Sequence, residues 1–256
     1  MTDAPAAAFD PALHGKMPRI ACLGVALAAG AIHALDEAQA HHLRTVLRVA
    51  DGESVRAFNA QDGEWLALAR HAGKRGVTLE ITALLRAPVA LPDIWLVASP
   101  LKKDALDMMI EKASELGASR FVPVIADHTA VHRLNAERAH AQAIDAAEQC
   151  ERFDVMAIDD LQPLSQLLAY WPQERALYVA IERSAAQPFL KALRAEAPPA
   201  QMAVLVGPEG GFSPKEREYL LALPFVVPVS LGGTILRAET AAVVALGLLC
   251  GFLQAK

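Results

Sequence analysis

Twice in its C-terminal quarter the chain passes from a short apolar run through clustered glycines into a helix start. The first passage is Ala203–Val206, then Gly207-Pro208-Glu209-Gly210-Gly211-Phe212, then Ser213-Pro214-Lys215-Glu216. An N-cap serine, a proline at the first helical position and a glutamate at the third are a strong helix-initiation signal. The second is Val226–Ser230, then Leu231-Gly232-Gly233-Thr234-Ile235-Leu236-Arg237, with a helix expected from about Glu239 to Phe252. Such strand–glycine–helix units, with more strand–helix alternation upstream, restrict the fold to α/β with a largely parallel sheet. Ligands of open α/β sheets bind beyond the carboxyl ends of the strands, so both loops are candidate binding loops.

Upstream, the pattern predicts a strand at Ile94–Ala98, a helix capped by Asp104 and closed by Gly117, and a strand at Phe121–Ile125. A helix capped by Asn135 runs to about Cys150, and Ala176–Ile181 is a further strand. Two prolines in residues 87–92 mark a seam. Before it the pattern is mostly β. Turns at Asp51-Gly52 and Gln61-Asp62-Gly63 separate strand candidates Ser54–Asn59, Trp65–Arg70 and Val77–Leu84. One helix, Ala38 to Leu47, follows an Asp36 N-cap with Gln39 at the third position. Residues 20–32 imitate the apolar region of a signal peptide but read as strand, Ala28-Ala29-Gly30 turn, strand. The organisation predicted is a disordered leader over 1–16, a small β-barrel over 17–88, and an α/β domain over 89–256.

Composition excludes several classes. Hydrophobic residues make up 54% and the net charge is −5, which argues for a substantial core and against a general polyanion coat. Cys22, Cys150 and Cys250 are odd in number and widely spaced, so no disulfide framework is expected and a reducing cytoplasm is the natural compartment. The charge-free run from Ala241 to Leu253 falls short of the ~20 residues that span a membrane. It is apolar on all sides, which predicts either a central helix or one covered by a second copy of the chain. His128 and His132 stand four apart without further ligands at suitable spacing, so no metal is expected.

Neither glycine loop matches GxxxxGK[ST] or GxGxxG, which disfavours a nucleotide triphosphatase or an ordinary dinucleotide enzyme. Three glycines in five residues let backbone N–H groups approach a ligand closely. Arg237 sits where the helix dipole disfavours a cation, so it calls for an anionic ligand or for a salt bridge to Glu209 or Glu239.

The loops GPEGGFSPKE and LGGTILRAETAA resemble those of the SPOUT methyltransferases, and within them the RsmE family of 16S rRNA (uracil-N3) methyltransferases. HHLRTVLRVADGESVRAFN (41–59), KDALDMMIEKASELG (103–117) and AEQCER (147–152) resemble further signatures of that family, in order and over nearly the whole chain. The resemblance implies a PUA-like RNA-binding barrel before a trefoil-knotted α/β domain, a homodimer, and S-adenosylmethionine as cofactor. The methyl acceptor implied is N3 of uridine 1498, in the usual numbering, of small-subunit 16S rRNA. Residues implied for the cofactor are Ile181, Val206, Gly207, Glu209, Gly210, Gly211, Ser230, Leu231, Gly232, Ile235, Leu236 and Arg237. Arg19, His41, His42, Arg44, Arg48 and Lys103 are implied for RNA, with Arg56 beside them. This chain departs from the family at His128, where relatives often carry Arg, at Met156 and at Gly233.

Methylation at N3 of uracil requires loss of the N3 proton. Arg237 suits the role of a fixed cation holding uracil oxygens or a phosphate. Glu239 or Glu209 takes the proton or steers Arg237, and the sequence leaves the two open. Competing readings are methylation of a ribose 2′-oxygen or another base, and an RNA-binding dimer without catalysis.

Overall fold

The computed structural model describes residues 9–181, 186–195 and 200–255. The chain divides into two compact units, residues 1–90 with 147–155, and residues 91–146 with 156–256.

In the first unit, β1 (Arg19–Ala21), β2 (Ile32–Ala34), β3 (Ser54–Asn59), β4 (Gly63–Ala72) and β5 (Gly76–Arg86) form one sheet in the order β1-β3-β4-β5-β2. β1 pairs parallel to β3, and the other pairs are antiparallel. Alternation along β5 turns Val77, Leu79 and Ile81 inward onto Ile20, Leu43 and Val55. Part of the expected leader is ordered. Asp10 caps a single helical turn, α1 (Pro11–His14), and the rest of that stretch, residues 1–8, lies outside the described residues.

Asp36 caps α2 (Glu37–His41) as expected, its carboxylate accepting from the Gln39 N–H at 2.8 Å. The helix does not continue regularly to Leu47. Residues His42–Val46 widen into a π-turn, and Arg48 adopts φ +57°. Leu43 and Val49 are both buried, while Val46 and Leu47 are left exposed. The segment closes with Leu47 N–H donating to His42 O and, past the left-handed Arg48, Val49 N–H donating to Leu43 O, both at 2.9 Å.

Two arginines expected at an RNA surface are instead structural. Arg19 is buried; its Nε donates to Glu64 Oε1 at 2.6 Å, and its Nη groups donate to the carbonyls of Ala147, Glu148 and Arg152. Arg56 is also buried, donating to Glu151 Oε1 at 2.8 Å and lying 3.4 Å from Glu64 Oε1. Guanidiniums saturated in the interior offer nothing to a phosphate. In this chain Arg56, like Arg19, holds the fold together.

In the second unit, β6 (Asp93–Ala98), β7 (Arg120–Ile125), β8 (Ala157–Ile158), β9 (Gln162–Pro163), β10 (Ala176–Ala180), β11 (Gln187–Pro188), β12 (Gln201–Val206) and β13 (Val226–Ser230) build a parallel sheet. The order is β11-β13-β10-β12-β6-β7-β8, with β9 also on β7. Its helices are α3 (Lys103–Glu115), α4 (Ala136–Cys150), α5 (Leu164–Ala169), α6 (Phe189–Ala195), α7 (Pro214–Ala222) and α8 (Ala238–Gln254). Asp104 is not the cap of α3. Lys102 holds that position without a side-chain bond, and Asp104 lies in the first turn, where the dipole favours its charge. Gly117, at φ +84°, closes the helix as expected, with Ala118 N–H donating to Ala113 O and Gly117 N–H to Ser114 O.

α8 packs on α3, α6 and β12 through Ala241, Ala242, Ala245, Leu246 and Leu249. Its opposite face, with Val243, Val244, Gly247 and Leu248, is only half-buried. Among the described residues, nothing covers that face completely.

Candidate active site

Three adjacent strands of the second unit, β10, β12 and β13, end on one cleft of about 1020 Å³. Ala180 and Ile181 follow the first, Val206 and the GPEGG loop the second, and Ser230 with the LGGTILR loop the third. Every residue implied for the cofactor lies on this cleft, as do Glu239 and Lys103.

The three glycines of the first loop have three separate reasons. A Cβ on Gly207 would meet the Phe212 ring at 3.1 Å. A Cβ on Gly210 would lie 2.9 Å from the His128 Cβ. Gly211 holds φ +70°, with its N–H donating to Pro208 O at 2.8 Å. Two of the three therefore serve packing within the protein, where the sequence suggested close approach of a ligand. The loop ends on the expected capping box, Ser213 Oγ accepting from Glu216 N–H and Glu216 Oε2 from Ser213 N–H at 2.9 Å. In the second loop Gly232 holds φ +138°, and a Cβ on Gly233 would meet open space.

Arg237 is the N-cap residue of α8, exposed and with no side-chain capping bond. It forms no ion pair with Glu209, Glu239 or any other described residue. The salt bridge that would have explained its position structurally is absent, and a cation at a helix N-terminus is left facing the cleft. Glu239, in the first turn of α8, is 7% exposed, and its carboxylate has no hydrogen-bond partner among the described residues. Glu209 is exposed at the loop tip.

Sequence reasoning missed two cations on the same wall. Lys102 precedes α3, and Arg217 lies in α7 one turn beyond the Ser213 cap. The second was legible in principle, because a residue four after the cap rises over the same helix face. With Lys103 and Arg237 they set four positive side chains on the cleft against Asp104, Glu209 and Glu239. Among the described residues no cluster of three metal-ligating side chains occurs, and no helix is long and apolar enough to cross a membrane.

The other residues expected at RNA lie in the first unit. His41 and Arg48 are exposed, and His42 and Arg44 are half-buried. Arg44 donates to the carbonyls of Gly73 and Gly76 at 3.3 Å, which ties the β4–β5 turn. The break after His41 means that His41, Arg44 and Arg48 do not share one α-helical stripe.

Residues 89–250, which contain the whole cleft, match the family described as RNA methyltransferase domain, and residues 35–82 match the RNA methyltransferase PUA domain. These define the class, an RNA methyltransferase with a PUA domain. A Rickettsia conorii protein named ribosomal RNA small subunit methyltransferase E is 30% identical, covering 80% of this chain and 84% of that protein. The Bacillus subtilis protein of the same name is 30% identical, covering 81% and 85%. A Neisseria gonorrhoeae methyltransferase E solved with S-adenosylmethionine superposes with a TM-score of 0.80 at 28% identity, covering 91% of this chain and 96% of that one. A putative Legionella pneumophila methyltransferase in complex with the same cofactor gives a TM-score of 0.81 at 26% identity, covering 92% and 98%. The chain belongs to the ribosomal RNA small subunit methyltransferase E family.

Proposed function

We propose that the protein transfers a methyl group from S-adenosylmethionine to N3 of uridine 1498 of 16S rRNA in the small ribosomal subunit. The observation that carries the reading is that Arg237 and Glu239, neither bonded to another described side chain, line one cleft at the strand ends. The cleft also fits the cofactor chemically. Ile181, Val206, Leu231 and Leu236 offer apolar walls to an adenine, loop backbone offers polar groups to its edge, and Glu239 offers a carboxylate to a cationic ligand. S-adenosylmethionine supplies an electrophilic methyl group on a sulfonium.

The chain's own residues supply the rest. Arg237 holds the uracil oxygens and stabilises the negative charge that develops when N3 loses its proton. Glu239 takes that proton, since its side chain is largely removed from solvent on the cleft wall while Glu209 is exposed. Lys102, Lys103 and Arg217 hold the RNA backbone near the cleft, and His41, His42 and Arg48 add contacts from the barrel. The half-buried apolar face of α8 supports a homodimer, and the family's trefoil knot and cytoplasmic location belong to the same reading.

The test is methyl transfer by the purified protein to small subunits lacking the modification, with the methylated nucleoside identified by mass spectrometry. The expected product is 3-methyluridine at one site, abolished by Arg237→Ala and strongly reduced by Glu239→Gln but not by Glu209→Gln. A methylated ribose or another base would overturn the uridine N3 assignment. Cofactor binding without transfer to any RNA would favour the non-catalytic RNA-binding dimer.

A further inference from the structure

The turn after β7 touches the glycine loop at both ends. Residues 126–129 form a tight turn, Thr129 N–H donating to Ala126 O at 3.0 Å. Its base is pinned in the interior, with Ala126 N–H donating to Thr129 Oγ1 at 2.8 Å and the Thr129 and Ser99 hydroxyls 2.9 Å apart. The two tip residues reach across more than eighty positions of sequence. Asp127 Oδ2 accepts from Ser213 Oγ at 2.5 Å, and Asp127 N–H donates to Glu216 Oε1 at 2.8 Å, so that residue holds the end of the loop that becomes α7. His128 Nδ1 lies 3.2 Å from Gly210 O and 3.1 Å from Gly211 O. Both partners are carbonyls, which only accept, so Nδ1 carries a proton and donates to both in a three-centred bond. The fit is close on the apolar side too, because Gly210 leaves room for the His128 Cβ that any side chain at 210 would displace.

We propose that His128 is a positioning residue for the reaction. Its Nδ1–H fixes the carbonyls of Gly210 and Gly211, and thereby holds the GPEGG loop in its cofactor-binding shape before the cofactor arrives. The inference rests on the reading of the cleft as the S-adenosylmethionine site. An ordered loop loses less conformational entropy on binding, so the contribution appears as affinity for the cofactor.

The experiment compares the full chain with His128→Ala, His128→Asn and His128→Gln. An Asn side chain sets its N–H donor near the place of Nδ1, whereas that of Gln reaches toward the place of Nε2. Two quantities are read: the Kd of S-adenosylmethionine by calorimetry, and amide hydrogen exchange of residues 207–213 in the free protein. The expected result is a Kd roughly three- to tenfold higher in His128→Ala and His128→Gln, the scale of one lost hydrogen bond, with recovery in His128→Asn. Loop exchange follows the same order, and the thermal midpoints of all four proteins agree, because His128 is a surface residue. Unchanged loop exchange in His128→Ala, or failure of His128→Asn to restore it, overturns the anchor. Altered exchange with an unchanged Kd overturns the link to the cofactor. A wild-type chain that does not bind S-adenosylmethionine overturns the reading of the cleft and the cofactor half of this proposal, while the exchange comparison still decides the anchor.

Discussion

Glu64 is fully buried on β4 and accepts from Arg19 at 2.6 Å and from Arg86 at 2.7 Å, with Arg56 at 3.4 Å. Glu151 accepts from Arg56 Nη1 at 2.8 Å, the nitrogen that also faces Glu64, and from Arg86 Nη1 at 3.0 Å. Three guanidiniums and two carboxylates thus join the barrel to residues 147–155. Removing the central carboxylate strands buried cations, so Glu64→Ala is expected to destabilise the protein by about 3–5 kcal/mol, read as a fall in the urea midpoint. The thiols differ for a related reason. Burial, with the negative charge of Glu148 added, pushes the Cys22 thiol up to about 12, whereas Cys150 is exposed. Iodoacetamide at pH 8 is expected to label Cys150 and spare Cys22 in the folded protein, as read by peptide mass spectrometry. None of these pairings has a sequence period. Arg19 and Glu64 are 45 residues apart, and Arg56 and Glu151 are 95 apart.

Local signals served well at the level of elements. The strands Ser54–Asn59 and Val226–Ser230, the Ser213 capping box, the Asn135 cap and the Gly117 terminus all stand where the sequence puts them. Each depends on neighbours within a few residues. Two elements were misread: α2 gives way to a π-turn at His42–Val46 between the buried anchors Leu43 and Val49, and α3 starts after Lys102 rather than at Asp104. The α7 cap also tests the loop before it. Ser213→Ala removes the box and the bond to Asp127, and is expected to cost about 0.5–2 kcal/mol in denaturant unfolding. Within the glycine loop the sequence showed that glycine was needed three times, but not why. The ring of Phe212 was near enough in sequence to suggest one reason, and the turn bearing His128 was not.

Across the whole molecule, acid is the natural destabiliser. Burial pushes the Asp93 carboxyl up, but the bond and charge of Arg175, with the Ser119 hydroxyl, outweigh it and hold it low. Burial acts likewise on Glu151, and Arg56, Arg86 and Arg19 outweigh it. Both groups ionise more easily in the fold than in the unfolded chain, where carboxyls titrate near 4. Their contribution is complete above that range and is lost as pH falls through the lower folded values. Thermal midpoints in a pH series are expected to fall steeply below about pH 4. Asp93→Asn should lower the midpoint at neutral pH and flatten its share of that fall. The sequence by itself determined the longer strands and helices, the Asp36, Asn135 and Ser213 caps, the two glycine loops and the family resemblance, because those reside in adjacent residues and simple periods. Only the tertiary structure decided that Arg19 and Arg56 hold the barrel, that Lys102 and Arg217 join Arg237 on one cleft, and that His128 closes on the GPEGG loop. Those choices are made by burial and charge between residues far apart in the chain, which chain connectivity alone does not bring together.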